Sequence, residues 1–416
     1  MKLKLQDAIF DSRIQLSPSK SESNRALMIN AYSEGKMRIS NLSDADDTIL
    51  LTSLLKLIKM NENSGEEVLI DCQNAGTVFR FLLTYLTEKS GIWILTGTER
   101  MKQRPVNDLV SALKELGGDI QYVEKDGFPP LMIRGKTLKG GITSVSLEKS
   151  SQFASSILMA APEWNNGLQL KLTGNPSSMP YLEMTLNMMR LCGAEVNRKN
   201  NLIVVSPKTY TARDLNISAD WSGAAFWFEW VALSEKGHLI LEGLSLKSEQ
   251  GDKILVDFFK QLGVGCEENS FGLHIWKTGN TGSDLHFNLR DFPDLLPALA
   301  VSCAGLGLEA AFTGLENLAI KESNRTQAIQ QELLKIGVKS SMPSVGELLL
   351  SASVMNPNLK DTCISFESYD DHRIAMALAP LVLKLGEIEI NQPETVSKSY
   401  PSYWNELIKT NAVSID

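Results

Sequence analysis

Short clusters in this chain combine cations, hydroxyls and carboxylates at spacings that suit an anionic ligand. Ser19-Lys20-Ser21-Glu22-Ser23-Asn24-Arg25 packs three hydroxyls and two cations into what read as the first turns of a helix. Lys321-Glu322-Ser323-Asn324-Arg325 places Lys321 and Arg325 four apart on one helix face, with Glu322 beside them. Asn74-Ala75-Gly76-Thr77 puts a small residue where backbone N–H groups can approach an anion closely. Asp370-Asp371-His372-Arg373 adds a further cation at a helix start, and Arg80, Arg100, Arg104 and Lys398 read as sitting at equivalent places. A helix N-terminus already attracts anions through its free N–H groups and dipole, so Lys or Arg there opposes stability unless an anion is bound. Each feature alone has a plain structural explanation. Ser19 and Glu22 make a capping box, Lys321 to Arg325 make a surface ion-pair pattern, and Asn74 to Gly76 make an ordinary turn. Their recurrence in a chain of net charge −8 favours a shared, local anion site.

The elements that must position these clusters repeat. Six apolar strands end in a short polar loop before an amphipathic helix, at Ser40-Asn41-Leu42, Thr96-Gly97-Thr98, Thr173-Gly174-Asn175, Glu242-Gly243-Leu244, Thr313-Gly314-Leu315 and Asn391-Gln392-Pro393. The intervals from Asn41 to Asn391 run from 56 to 77 residues, and such periodicity sets the architecture before any single motif does. Four helices of this series are expected to end at Leu116-Gly117-Gly118, Cys192-Gly193-Ala194, Leu262-Gly263-Val264 and Ile336-Gly337-Val338. A second helix series starts at Ser19, Asn74, Ser150, Asp220, Asp291 and Asp370, all residue types that cap a helix N-terminus. Hairpin signals follow at Lys125-Asp126-Gly127, Lys199-Asn200-Asn201, Ser270-Phe271-Gly272 and Ser344-Val345-Gly346. The unit is thus strand, helix, strand, helix and a strand pair, and six units divide into two domains of three, about 19–217 and 218–416. The sixth unit ends at Asp416 without room for a full hairpin. The strand-like Leu3–Leu16 can supply the missing pairing, which returns residues 1–18 to the second domain.

Composition narrows the class. A chain of 416 residues exceeds one small core, and no apolar run reaches the ~18 residues of a membrane span. The start alternates like a strand and lacks the apolar core of a signal peptide. Five scattered cysteines without a CxxC pair oppose a disulfide framework or zinc site and fit a reducing cytoplasm. The acidic balance opposes bulk nucleic-acid binding.

At these motifs the chain resembles the 5-enolpyruvylshikimate-3-phosphate synthase family. The similarity runs in order through Ser19-Lys20-Ser21-x-Ser23-Asn24-Arg25, Asn74-Ala75-Gly76-Thr77, Arg100-Met101-Lys102-x-Arg104-Pro105, Ser150-Ser151-Gln152-Phe153, Pro180-Tyr181, Lys321-Glu322, Asp371-His372-Arg373 and Lys398. The resemblance implies an α/β fold, a two-domain inverse α/β barrel of six βαβαββ repeats, three per domain. It implies transfer of an enolpyruvyl group from phosphoenolpyruvate to the 5-hydroxyl of shikimate 3-phosphate by addition and elimination. No metal or organic cofactor is implied. The expectation is a cytoplasmic monomer with small-molecule substrates and no nucleic-acid or membrane partner. Asp294 resembles the base that accepts the hydroxyl proton, and Glu322, assisted by Lys20, the group that delivers and removes the methylene proton. Lys20, Asn74, Gly76, Arg104, Gln152, Glu322, Arg325, Arg373 and Lys398 resemble the phosphoenolpyruvate shell. Lys20, Ser21, Arg25, Ser150, Ser151, Gln152, Ser178, Tyr181, Asp294, Asn317 and Lys321 resemble the shikimate 3-phosphate shell. Glyphosate is expected to compete with phosphoenolpyruvate.

Several positions depart from the family pattern. Ser323-Asn324 stands for a more common Thr-Asp, Phe81 for a common Pro after Arg80, Ser19 for a common Gly, and the tail Val396-Ser397-Lys398-Ser399-Tyr400-Pro401 is a conservative variant. Two other readings compete. The sister enolpyruvyl transferase acting on UDP-N-acetylglucosamine generally carries Lys-Asn near its start and often a loop cysteine. Here these sites read Lys20-Ser21 and Arg104-Pro105-Val106. A non-catalytic anion-binding module would not need both Asp294 and Glu322.

Overall fold

The computed structural model describes residues 1–352, 356, 359 and 362–416. The chain forms two compact units, one of Met1–Ser19, Asp44–Asp46 and Ser218–Asp416, the other of Lys20–Ser43 and Asp47–Ile217. Each has its own apolar core.

Within each unit one set of helices, such as Gly76–Glu88, Ser151–Ala160 and Leu296–Leu306, is largely buried, others such as Asp46–Asn61 bury one face only, and the sheets keep one face toward solvent. The strand Leu168–Thr173 alternates buried and exposed positions, as a half-covered strand must. By contrast all thirteen residues of the helix Trp221–Leu233 are buried, which fits a segment that is apolar all round. Full burial of each of its Trp and Phe side chains stabilises the unit by roughly 1.5–3 kcal/mol.

Among the described residues, five four-stranded sheets share one topology. Glu67–Asp71 runs parallel to Gly91–Thr96, and the hairpin Asp119–Tyr122 with Leu131–Gly135 adds antiparallel to the latter. The same order recurs at Gly141–Ser146 with Leu168–Thr173 and at Leu285–Asn288 with Ala310–Thr313. The parallel pair requires a crossover, which the helices Gly76–Glu88, Ser151–Ala160 and Leu296–Leu306 supply. The first repeat is reduced to two parallel strands, Arg38–Ser40 and Asp214–Asn216. The N-terminal residues do two jobs. Lys2–Leu5 lies between Glu387–Ile390 and Val413–Ile415 and completes the sixth sheet. Ile9–Gln15 instead runs parallel to Lys236–Glu242 and opens the fourth.

Helix ends follow the glycines with one exception. The helix Arg325–Lys335 closes with N–H of Gly337 on Leu334 O and N–H of Val338 on Leu333 O, and Gly337 has φ +84°. That is the turn in which only glycine is relaxed. The expected end at Leu262-Gly263-Val264 falls elsewhere, because the helix Leu255–Lys260 stops earlier and Gly263 lies in the strand Leu262–Asn269 at a register shift. Three helix starts also differ from expectation, the first being His372–Leu378, which is capped by Asp371 and not Asp370. The helix Gly76–Glu88 is preceded by Ala75 without a side-chain cap, so Asn74 is not its cap. Asp291 precedes a 3₁₀ turn, Pro293–Leu295, and the α-helix begins only at Leu296. No helix among the described residues is long and apolar enough to cross a membrane.

Candidate active site

In the unit spanning Lys20–Ser43 and Asp47–Ile217, the helix Lys20–Tyr32 begins with an ion pair. Lys20 Nζ lies 3.0 Å from Asp47 Oδ2 at the start of the helix Asp46–Asn61. Asp47 was not among the expected site residues; an acid in a first helical turn reads simply as a partner of the dipole. Arg25, one turn further on, is buried. Its Nε donates to Thr185 Oγ1 (2.7 Å), one terminal nitrogen to Ser21 O (2.9 Å) and the other to Tyr181 O (3.0 Å). Arg25 therefore ties the backbone at Ser21 to the helix Met179–Leu191, which begins beside Ser178. Burial lowers its pKa to about 10, against the pull of Tyr181 and Glu22.

Ser178 is itself in the left-handed region (φ +57°) and makes no side-chain cap bond, a conformation that costs a non-glycine residue. Ser150 does cap, its Oγ accepting from the N–H of Gln152, and Ser151 is buried in the turn that follows. Gln152 then links two helices, its Oε1 accepting from Arg80 (2.6 Å) and its Nε2 donating to Thr77 Oγ1 (2.8 Å). Phe81 is fully buried in an unbroken helix Gly76–Glu88, and Arg25 stands over its ring at 5.7 Å.

Arg104 follows the short helix Glu99–Lys102 rather than starting one. Its guanidinium lies flat against Gly76, where a Cβ would come within 2.6–2.7 Å of three guanidinium atoms. A side chain at position 76 would therefore have to displace the Arg104 guanidinium. The Gly76 loop and Arg104, expected together, are brought together.

The second cluster lies in the other unit and is denser. Arg325 is almost wholly buried and serves three carboxylates. Nη1 donates to Asp294 Oδ1 (2.7 Å), Nη2 to Glu322 Oε2 (3.0 Å), and Nε and Nη2 to Asp371 (2.8 and 3.2 Å). Arg373 Nη2 reaches the other oxygen of Asp294, Oδ2, at 2.9 Å, and Lys321 Nζ approaches Oδ1 at 3.8 Å. Burial works to raise the pKa of Asp294, but Arg373, Lys321 and Arg325 outweigh it and hold the carboxyl well below its ordinary range. Burial likewise disfavours the charge on Arg325, and Asp371, Glu322 and Asp294 more than restore it.

Asp371 is the residue that motif reading undervalued. It is fully buried, caps the helix His372–Leu378 through the N–H of Arg373 (3.0 Å), and also accepts from Ser323 Oγ (3.0 Å). Asn324 caps the helix Arg325–Lys335 through the N–H of Gln327. The Ser-Asn variant therefore keeps both the hydroxyl and the capping oxygen that a Thr-Asp pair would bring. Lys321 and Lys398 do not begin helices; they follow or end the 3₁₀ segments Leu318–Ile320 and Pro393–Lys398. Asn317, half-buried, precedes the first of these.

Both the fold and the sequence have relatives. The chain has the fold of enolpyruvyl transferases. It matches an EPSP synthase structure from Acinetobacter baumannii with TM-score 0.75 at 21% identity over 100% of both chains. An enolpyruvyl transferase from Streptomyces tendae matches with TM-score 0.68 at 13% identity, over 99% of this chain and 98% of that one. The chain belongs to the EPSP synthase (3-phosphoshikimate 1-carboxyvinyltransferase) family, whose profile matches residues 7–407. A 3-phosphoshikimate 1-carboxyvinyltransferase of Bacteroides fragilis strain YCH46 is 42% identical over 397 residues, covering 95% of this chain and 94% of its own. One from Sulfurovum sp. strain NBC37-1 is 32% identical over 418 residues, covering 95% and 96%. The enzyme accordingly transfers the enolpyruvyl group of phosphoenolpyruvate to the 5-hydroxyl of shikimate 3-phosphate and releases phosphate, in the pathway to aromatic amino acids.

Proposed function

We propose that Asp294 and Glu322 perform the proton transfers of this reaction and that the surrounding cations hold its two anionic substrates. Asp294 accepts the proton of the C5 hydroxyl as that oxygen bonds to C2 of phosphoenolpyruvate. The methylene carbon takes a proton from Glu322, with Lys20 assisting, and a tetrahedral intermediate results. Loss of phosphate then accompanies return of a methyl proton to Glu322, which restores the double bond. The observation that carries this reading is the single Arg325 guanidinium bonded to both Asp294 and Glu322. A planar fork sets the spacing and orientation of the two carboxylates, as general acid and base catalysis requires.

Lys20, Asn74, Gly76, Arg104, Gln152, Glu322, Arg325, Arg373 and Lys398 are assigned to phosphoenolpyruvate, and glyphosate is expected to compete there. Ser21, Arg25, Ser150, Ser151, Gln152, Ser178, Tyr181, Asp294, Asn317 and Lys321, with Lys20, are assigned to shikimate 3-phosphate. For Arg25 the supporting geometry is indirect, since its donors fix the backbone at Ser21 and Tyr181. We read the enzyme as a cytoplasmic monomer, the first from its scattered free cysteines and the second from family resemblance; sedimentation tests the latter. Phosphate release measured with both substrates tests the function. Release with UDP-N-acetylglucosamine in place of shikimate 3-phosphate would overturn the choice of acceptor.

A further inference from the structure

Asp371 reaches Arg325 from a turn that a tyrosine does not favour. The N–H of Asp371 donates to Ser368 O at 3.0 Å and closes a turn over Tyr369 and Asp370. Both central residues have positive φ, +56° for Tyr369 and +53° for Asp370. Turns with two such residues are dominated by Gly, Asn and Asp. A bulky side chain is strained in that region, and the strain persists only where the surrounding structure holds it.

One helix grips the turn at two points. In the helix Arg325–Lys335, Arg325 and Glu332 lie two turns apart and share a face, about 10 Å apart along the axis. At one end Arg325 Nε and Nη2 bond Asp371 at 2.8 and 3.2 Å. At the other Glu332, a wholly buried carboxylate, accepts from Tyr369 OH (2.6 Å), from the N–H of Glu367 (3.0 Å) and from Lys335 Nζ (2.6 Å). The Tyr369 hydroxyl also lies 3.0 Å from Gln331 Oε1. Ser368 has its own tether, its Oγ donating to Gln392 Oε1 at 3.2 Å. Burial and the bond to Glu332 push the Tyr369 phenol above its ordinary pKa, so it stays a donor. A buried carboxylate is costly unless it is paired and hydrogen-bonded, and two of the groups that satisfy Glu332 come from residues 367–369.

We propose that Glu332 and Tyr369 are positioning residues, whose bond holds the strained turn 368–371 so that Asp371 meets Arg325 and Arg325 in turn sets Asp294 and Glu322. This rests on the assignment of Asp294 and Glu322 to the proton transfers. Asp371 holds the Nε side of the Arg325 guanidinium, while Nη1 and Nη2 reach Asp294 and Glu322. A planar fork cannot rotate on one side without turning its other donors. Relaxing the turn therefore misaligns the reacting carboxylates without removing either.

The test is steady-state phosphate release with both substrates on the full chain, at a temperature where circular dichroism shows every variant folded. Tyr369→Phe keeps the ring and deletes the hydroxyl. It should lower kcat by about 10- to 100-fold, the scale of a small misplacement of reacting groups. Glu332→Gln should follow it, and stands in if the phenylalanine variant does not fold. Asp370→Gly relaxes the turn at one of its two strained positions and alone should leave kcat at the wild-type level. Added to Tyr369→Phe, it should recover most of the loss, because a turn at ease in this conformation needs the phenol less. Residues that served stability alone would lower the unfolding temperature and leave kcat unchanged. That result, or a loss that Asp370→Gly does not recover, overturns the proposal. Near-wild-type turnover of Asp294→Asn would instead remove the assignment beneath it, so the two failures are distinguishable.

Discussion

Gly76 and Arg104 are coupled through a contact that leaves no room for a methyl group. Gly76→Ala must push the Arg104 guanidinium away, and a long flexible side chain can yield, so the fold should survive. The cost falls on whatever Arg104 binds. Losing one well-placed charge-assisted contact is worth about 1.5–3 kcal/mol, which predicts a KM for phosphoenolpyruvate raised roughly 10- to 100-fold with kcat nearly unchanged. Glyphosate sensitivity should fall as well if, as proposed, the inhibitor competes at the site to which Arg104 is assigned. A steady-state series in both ligands checks this; an unchanged KM for the substrate would show that Arg104 is not one of its ligands. Asp294→Asn should behave oppositely. It should keep phosphoenolpyruvate bound yet lose about 10²–10⁴ in kcat, the usual share of a general base. Near-wild-type turnover would remove Asp294 from its role.

At the scale of elements, two helices carry acids where burial opposes charge. Glu88 ends the helix Gly76–Glu88, where Trp164 Nε1 donates to its Oε1 at 2.6 Å. Burial raises its pKa to about 8, only partly offset by that bond and by Lys89. With the folded value above the unfolded one, its stabilisation is complete below about pH 4.5 and is lost as pH rises toward 8. Glu88→Gln should therefore flatten the pH dependence of thermal unfolding across this window, and an unaltered slope would show that the group titrates normally. Glu229, fully buried in the helix Trp221–Leu233, has no hydrogen-bond partner for either oxygen among the described residues. An unsatisfied buried polar group costs about 1–3 kcal/mol, so Glu229→Met, similar in length, should raise the unfolding temperature at pH 8. A lower midpoint would show that the carboxyl is bonded. Such acids are invisible to pattern reading, which sees only an apolar helix with one charged residue. The periodic strands and the hairpin turns at Asn200 and Phe271 were legible, because alternation and turn chemistry are local. The 3₁₀ segments before Lys321 and Leu296 were not, since short turns carry no period. Nor were the partners of the cations: Arg25 meets Thr185 from 160 residues away and Arg325 meets Asp371 from 46. Spacing marked the arginines but could not say which oxygens they would hold.

The whole molecule is organised by two cores, and the chain does not keep each to one stretch of sequence. Residues 1–18 precede the helix Lys20–Tyr32, yet their strands complete sheets built from residues 236–281 and 364–415. If each core is one cooperative unit, as we propose, weakening the core around Trp221–Leu233 must loosen the N-terminal strands together with distant sequence. It must leave their immediate neighbours in the chain unchanged. Phe226 is fully buried there and packs edge-on against Tyr403. Phe226→Ala should cost about 3–5 kcal/mol. Amides that exchange through opening of that unit should then do so on the order of 10²–10³-fold faster. Hydrogen exchange followed by mass spectrometry is expected to show this acceleration in peptides covering Lys2–Leu5, Ile9–Gln15 and Lys236–Glu242. The helices Lys20–Tyr32 and Ser151–Ala160, whose core is separate, should exchange at wild-type rates. The converse variant, Leu170→Ala in the other core, should accelerate Lys20–Tyr32 and spare Ile9–Gln15. If Ile9–Gln15 instead followed Lys20–Tyr32 in both variants, sequence adjacency rather than sheet membership would govern how the N-terminus is held.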